Sequence, residues 1–342
     1  MFSTPQSQFL LFTALKIVAV IAVVLPMIAY SVMAERKISA WIQDRVGPNR
    51  VGPWGLLQPL ADGLKFLLKE DFTPAHVRKA YFWLAPAITM IPAFLTLAVI
   101  PFGSHLGNQR MVIADLNVGI LYTFGIVSLG VYGIVLAGYA SNSKYPFMGG
   151  IRSSAQMVSY EIAMGMSVVP LFMLAGDLNL TKVIEYQAQH GWLILYAPFS
   201  FVIFLVSAFA ETNRLPFDLP ESETELVAGY HTEYSSMKFA LFFLGEYANM
   251  IAASAMMVTL FLGGWTFPGV PMDGGLGIGL LHIGIFLAKM VAFMVVFIWV
   301  RWMLPRFRYD QLMDLGWRRF VPVALANILF YAVVLWFKAT HA

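Results

Sequence analysis

The 342-residue chain contains no cysteine. Disulfides, cysteine nucleophiles, thiolate-ligated iron–sulfur clusters and covalently attached haem are thereby excluded within it. Histidine is sparse: six residues, at 76, 105, 190, 231, 282 and 341, of which only His282 falls in an apolar run. One such residue cannot supply the paired axial ligands of a membrane haem. Charge is scarce too, at 12% of residues where a soluble domain spends about a quarter. That leaves too little polar surface for water to be the solvent. The start of the chain has no short basic-plus-apolar stretch closing on a small-residue cleavage site, so its first apolar run is expected to stay as a membrane helix. No phosphate-binding loop, dinucleotide turn or catalytic spacing of Ser, His, Asp or Glu is found, so neither a catalytic residue nor a metal ligand is expected.

Apolar sequence is what the chain has in abundance: 59% of residues, with a mean hydropathy of +0.72. A helical span needs about 20 apolar residues. Eight windows qualify, at 10–33, 82–102, 117–140, 155–175, 192–211, 239–263, 277–302 and 320–337. Prolines inside several of them are tolerated, because neighbouring helices can re-satisfy the freed backbone groups. The expected fold is an all-α integral membrane protein of about eight transmembrane helices in one polytopic domain over 1–342.

Lys and Arg set the orientation. Seventeen of them fall in the odd-numbered loops, eight in 34–81 alone, against Arg110, Lys182 and Lys338 on the other side. The odd loops therefore face the cytoplasm, or an equivalent matrix, and both termini face the periplasm of a bacterial inner membrane or its organellar counterpart. The net charge of +3 reports this topology, and no nucleic-acid partner is expected.

Three cytoplasmic segments read as more than connectors. Residues 45–53 repeat Arg-Val-Gly-Pro twice, which blocks a regular helix and predicts a fixed turn. In 55–70, Leu57, Leu60, Leu64, Leu67 and Leu68 share one helical side, while Gln58, Asp62, Lys65 and Lys69 share the other, with Phe66 out of place. That pattern predicts an amphipathic helix lying in the membrane interface, with a loop helix packed on a partner as the alternative. The third segment, 212–238, is rich in acid: Asp218, Glu221, Glu223, Glu225 and Glu233. His231 within it reads as a surface residue, having no second histidine nearby.

Ionisable groups inside a membrane are functional candidates by default. Glu161, Glu211 and Glu246 lie in the cytoplasmic halves of the fourth, fifth and sixth spans, at similar depth. Carboxylates placed so can share protons along a wet path. Static pairing is the alternative: Glu211 with Arg214 at i+3, other acids with Lys289 or an arginine from a neighbour. Lys16 is expected to snorkel.

These residues also carry a resemblance. Residues 55–70, Gly-Leu-Leu-Gln-Pro-Leu-Ala-Asp-Gly-Leu-Lys-Phe-Leu-Leu-Lys-Glu, resemble the first signature of the H-type membrane subunit of respiratory complex I. Residues 216–229, Pro-Phe-Asp-Leu-Pro-Glu-Ser-Glu-Thr-Glu-Leu-Val-Ala-Gly, resemble the second. Glu35-Arg36-Lys37, the Arg-Val-Gly-Pro pair, the stretch from Arg152 to Glu161 and Gly245-Glu246-Tyr247 match as well, so the likeness covers nearly the whole chain. Ser222 departs from it, where many members carry Gly or Ala, and no carboxylate is lost.

The resemblance implies a subunit of a proton-pumping NADH:quinone oxidoreductase that catalyses nothing alone. Its first loop, amphipathic helix and nearby spans would line a chamber for ubiquinone or another quinone, with Glu35, Arg36, Arg45, Asp62, Lys65 and Arg301 as the charged residues. Glu161, Glu211, Asp218, Glu221, Glu223, Glu225 and Glu246 would form the acidic path. No covalent cofactor is expected here. FMN and iron–sulfur clusters would belong to partners, which are the other membrane-arm subunits and the peripheral quinone module. The related membrane anchor of an energy-converting hydrogenase, which uses no quinone, is a second function class. A lone secondary transporter is disfavoured by the want of inverted halves.

Overall fold

The computed structural model describes residues 5–107, 109–220, 223–272 and 275–341. In hydrocarbon every backbone N–H and C=O must be paired within its own segment, so the apolar runs fold as helices. Among the described residues, six stretches are long and apolar enough to cross a membrane: Gln8–Ile42, Gly119–Ala140, Lys144–Ala175, Ser236–Phe261, Leu276–Met303 and Tyr309–Thr340. The other two expected spans are shorter helices. One is α3 (Lys79–Thr96) and the other α9 (Pro198–Glu211). Fourteen residues cover only about 21 Å. Pro198, which lacks an N–H, separates α9 from the one-turn α8 (Leu193–Tyr196) that precedes it.

Two helices overrun their apolar windows. The first, α1 (Pro5–Ile42), continues past residue 33 because no breaker intervenes, so Glu35, Arg36 and Lys37 sit on its final turns. The long α6 (Lys144–Ala175) starts well before residue 155 and carries Arg152. The stretch Gly119–Ala140 is two helices end to end, α4 (Gly119–Val127) and α5 (Leu129–Ala140).

Small residues bring the helices close, since van der Waals packing drives association in lipid. A Cβ on Gly138 of α5 would lie 2.5 Å from Pro146 O of α6, and one on Gly149 would lie 2.9 Å from Tyr230 N. The most buried helix is α11 (Ser236–Phe261), with Met250, Ile251, Met257 and Phe261 fully enclosed. Against its far end packs α7 (Leu180–His190), an amphipathic helix absent from the sequence reading. Asn179 caps α7 by accepting from Thr181 N at 2.8 Å and Lys182 N at 3.2 Å. Gln187 then ties it down, donating to Thr259 O at 2.9 Å and accepting from Gly263 N at 2.9 Å.

The predicted amphipathic helix is α2 (Gln58–Leu68), and its leucines face outward. Leu60, Leu64 and Leu67 are each about 60% exposed, and Leu68 85%. Phe66, the residue out of pattern, turns inward onto Phe239. Ser236 Oγ reaches both Phe66 O and Lys69 O at 3.0 Å, fixing the end of α2 to α11. The Arg-Val-Gly-Pro segment is the expected turn. Gly55, at φ 79°, sits so close to Pro48 O that no Cβ fits, and Lys37 donates to Trp54 O at 2.7 Å.

Candidate functional site

Polar chemistry gathers at one end of the bundle, where α1, α9 and α12 (Leu276–Met303) finish and α11 begins. The hub is Arg214, in the turn after α9. Gln156 of α6 holds that turn by donating to Ala210 O at 2.8 Å, to Phe217 O at 2.7 Å and to Asn213 Oδ1 at 3.3 Å. Arg214 is 2% exposed. Its Nη1 donates to Glu35 Oε2 at 2.7 Å, and its Nε lies 2.6 Å from Glu246 Oε1 without good hydrogen-bond alignment. The guanidinium also stacks 4.3 Å from the Tyr247 ring centroid. Burial acts to lower the Arg214 pKa, but Glu246, Tyr247 and Glu35 more than reverse this, so it stays charged.

Glu35 collects two further donors, Tyr247 Oη at 2.7 Å and Arg301 Nη1. A carboxylate with three donors at 6% exposure is a satisfied buried charge. The charges of Arg301, Glu35 and Asp218 also act on Glu246, and Asp218 accepts from Arg306 at 2.8 Å. Three helices, α1, α11 and α12, and the acidic loop are thereby joined in one electrostatic unit.

Glu211 stands apart. It is 5% exposed, and neither of its carboxylate oxygens has a hydrogen-bond partner among the described residues. It does not pair with Arg214, because Arg214 is committed to Glu35 and Glu246. Glu161 on α6 is close enough for its charge to act on Glu211. Two small cavities touch Glu211: one of about 20 Å³ also lined by Glu246 and Asn249, and one of about 40 Å³ also lined by Thr96, Thr123 and Asn249.

The remaining charged residues divide by neighbourhood. Arg36 donates to Asp62 at 2.8 Å, and Gln58 donates to the same carboxylate at 3.0 Å, so this exposed pair fastens α1 to α2. Arg45 bonds locally to Gln43 and Ser39, and Lys65 lies over the Phe66 ring, so neither joins the buried unit. Glu225, in the short α10 (Glu223–Leu226), pairs with Arg152 at 2.6 Å on the surface. Glu221 and the Glu223 side chain lie outside the described residues.

Lys289 pairs with no carboxylate among the described residues. Its Nζ donates to Leu262 O at 2.6 Å, Gly264 O at 3.0 Å and Thr266 O at 2.6 Å, beneath the Trp192 ring. That places a cation at the C-cap carbonyl of α11 and binds it to the turn that follows. Lys16 donates to Val112 O at 3.2 Å. His231 is not a surface residue. It is 8% exposed among Tyr230, Phe239 and Phe243, and burial pushes its pKa down to about 4.

Sequence reasoning missed the central role of Arg214 and passed over Tyr247, Gln156 and Asn249. One signal for Arg214 was available: it is the only Lys or Arg between Glu211 and Lys238, in a loop dense with acid.

The fold is a multi-pass helical membrane bundle in which Glu35, Arg214, Glu246 and Arg301 form one charged unit at one end, beside the amphipathic α2. Residues 15–332 match the model of the NADH dehydrogenase family, and the chain belongs to that family. It is 50% identical over 328 residues to an H-type NADH-quinone oxidoreductase subunit of Cytophaga hutchinsonii, covering 94% of this chain and 96% of that one. To the protein of the same name from Geobacter metallireducens it is 54% identical over 331 residues, covering 95% and 97%. To the corresponding NADH-quinone oxidoreductase subunit of Flavobacterium johnsoniae it is 48% identical over 338 residues, covering 96% and 97%.

Proposed function

We propose that this chain is the inner-membrane subunit of a proton-translocating NADH:quinone oxidoreductase that guides quinone and couples its reduction to proton movement. The observation that carries this is the bridge Glu35–Arg214–Glu246. It links the end of α1, which Arg36 fastens to α2, to the buried Glu246 of α11.

Quinone is mostly apolar tail, and the outward leucines of α2 let it slide from lipid to the protein without crossing water. Arg36, Asp62, Arg45 and Lys65 supply charge around that approach, with Glu35 and Arg301 at its inner side. Negative charge developing on a reduced headgroup draws Arg301 away from Glu35. Glu35 then binds Arg214 more tightly, Glu246 loses part of its counter-charge, and its proton affinity rises. Glu211 and Glu161 follow as coupled titrations, with Asp218, Glu221, Glu223 and Glu225 setting the field from the loop. Quinone is the substrate, and FMN and the iron–sulfur clusters sit in partner subunits, so the isolated chain catalyses nothing. Both termini face the periplasm.

Native-gel separation of mildly solubilised membranes, stained for NADH oxidation, tests the assignment. Co-migration of this chain with the large NADH-oxidising band is expected. Migration alone, or with a hydrogenase, would overturn it.

A further inference from the structure

The two cavities beside Glu211 share lining residues. Glu211, Thr212 and Asn249 border both. Asn249 follows Glu246 by three residues on α11, which puts the two on one helix face. The Asn249 side chain is half-buried, with no hydrogen bond to any described residue. A polar amide without a protein partner, standing between two voids, has water as its natural partner. A cavity needs about 10–15 Å³ to hold one water, and these offer about 20 and 40 Å³. Both orphaned oxygens of Glu211 call for the same partner. Thr96 and Thr123 in the second cavity donate to Pro92 O and Gly119 O and keep lone pairs for water.

We propose that Asn249 is a positioning residue that holds a water on each side of its amide, bridging Glu246 to Glu211 and Glu211 onward to Thr96 and Thr123. An amide carries both a donor and an acceptor, so it can end one hydrogen-bonded chain and begin the next without being ionised. The Thr212 hydroxyl, donating to Ala208 O at 3.0 Å, offers a fixed acceptor beside it. This rests on the proton path proposed above and names what bridges its acids.

The test uses the whole complex with Asn249→Leu, Asn249→Ser and Glu211→Gln, each checked for assembly on native gels. Leucine keeps the volume and removes the polarity; serine keeps a polar group. Asn249→Leu is expected to lower NADH:quinone activity about tenfold or more and to raise the solvent deuterium isotope effect, and Asn249→Ser to recover most of that loss. If Glu211→Gln lowers the rate and Asn249→Leu does not, the role of Asn249 is overturned and the acid path stands. A neutral Glu211→Gln overturns the path and the Asn249 role with it. Should Asn249→Leu fail to assemble, a high-resolution map of the wild-type complex decides. Ordered water against the amide in both cavities is expected, and dry cavities contradict the proposal.

Discussion

Arg214 Nη1 meets Glu35 Oε2 at 2.7 Å across 179 residues of sequence, while its Nε lies 2.6 Å from Glu246. One cation thus serves two buried carboxylates on two helices. Removing it strands both, which costs about 3–5 kcal/mol for a buried pair. Arg214→Leu should sharply reduce assembled complex on native gels. Adding Glu246→Gln should restore part of it by removing one orphaned charge. Arg214→Lys should behave as a damaging change, since one ammonium cannot match the fork.

Gln156 fixes the turn that carries Arg214. In Gln156→Leu the Phe217 carbonyl loses its side-chain donor, at about 1–3 kcal/mol, while the Ala210 carbonyl keeps Asn213 N at 3.3 Å. Thermal unfolding of the purified complex should shift down, and quinone reduction should fall with it because Arg214 loses its fixed position.

In the sequence Lys289 is a candidate partner for the membrane acids, but its three carbonyl bonds tie α12 to the C-cap residue of α11 and the turn beyond it. Lys289→Met should destabilise the complex by about 2 kcal/mol, the scale of hydrogen bonds to a charged group. Complex that survives purification should pump with an unchanged proton-to-electron ratio. A changed ratio would mean that Lys289 moves protons.

His231 gives the fold a pH dependence with a defined sign. Its folded pKa of about 4 lies below the ordinary 6.5, so the folded state binds fewer protons between those values. Stability is full above pH 6.5 and is lost as pH falls toward 4, by about 2 kcal/mol at pH 5. His231→Phe suits the aromatic surroundings, and its melting temperature should drop less than that of the wild type between pH 7.5 and 5.

Much of the helical architecture was legible in the sequence, because bilayer thickness dictates run length and Lys and Arg mark the loops. The Arg-Val-Gly-Pro turn and α2 were readable for similar local reasons. Hydropathy windows register side chains and not breakers, so the extension of α1 through Glu35 to Ile42 was hidden, as was the shortening of α9 by Pro198. The pairing of Glu35 with Arg214 and Arg301 depends on contacts 179 and 266 residues apart, which no periodicity encodes. Spacing at i+3 pointed to Glu211 with Arg214, whereas the fold gives Arg214 to better-placed acids and leaves Glu211 unpaired among the described residues.

That unpaired carboxylate bears the central claim most directly. The deciding measurement is NADH:quinone oxidoreduction and its coupled proton uptake in membranes carrying Glu211→Gln, beside NADH oxidation by an artificial acceptor. A proton-carrying Glu211 predicts that quinone reduction and proton uptake fall together while the artificial-acceptor rate holds. Wild-type rates in all three would contradict the account.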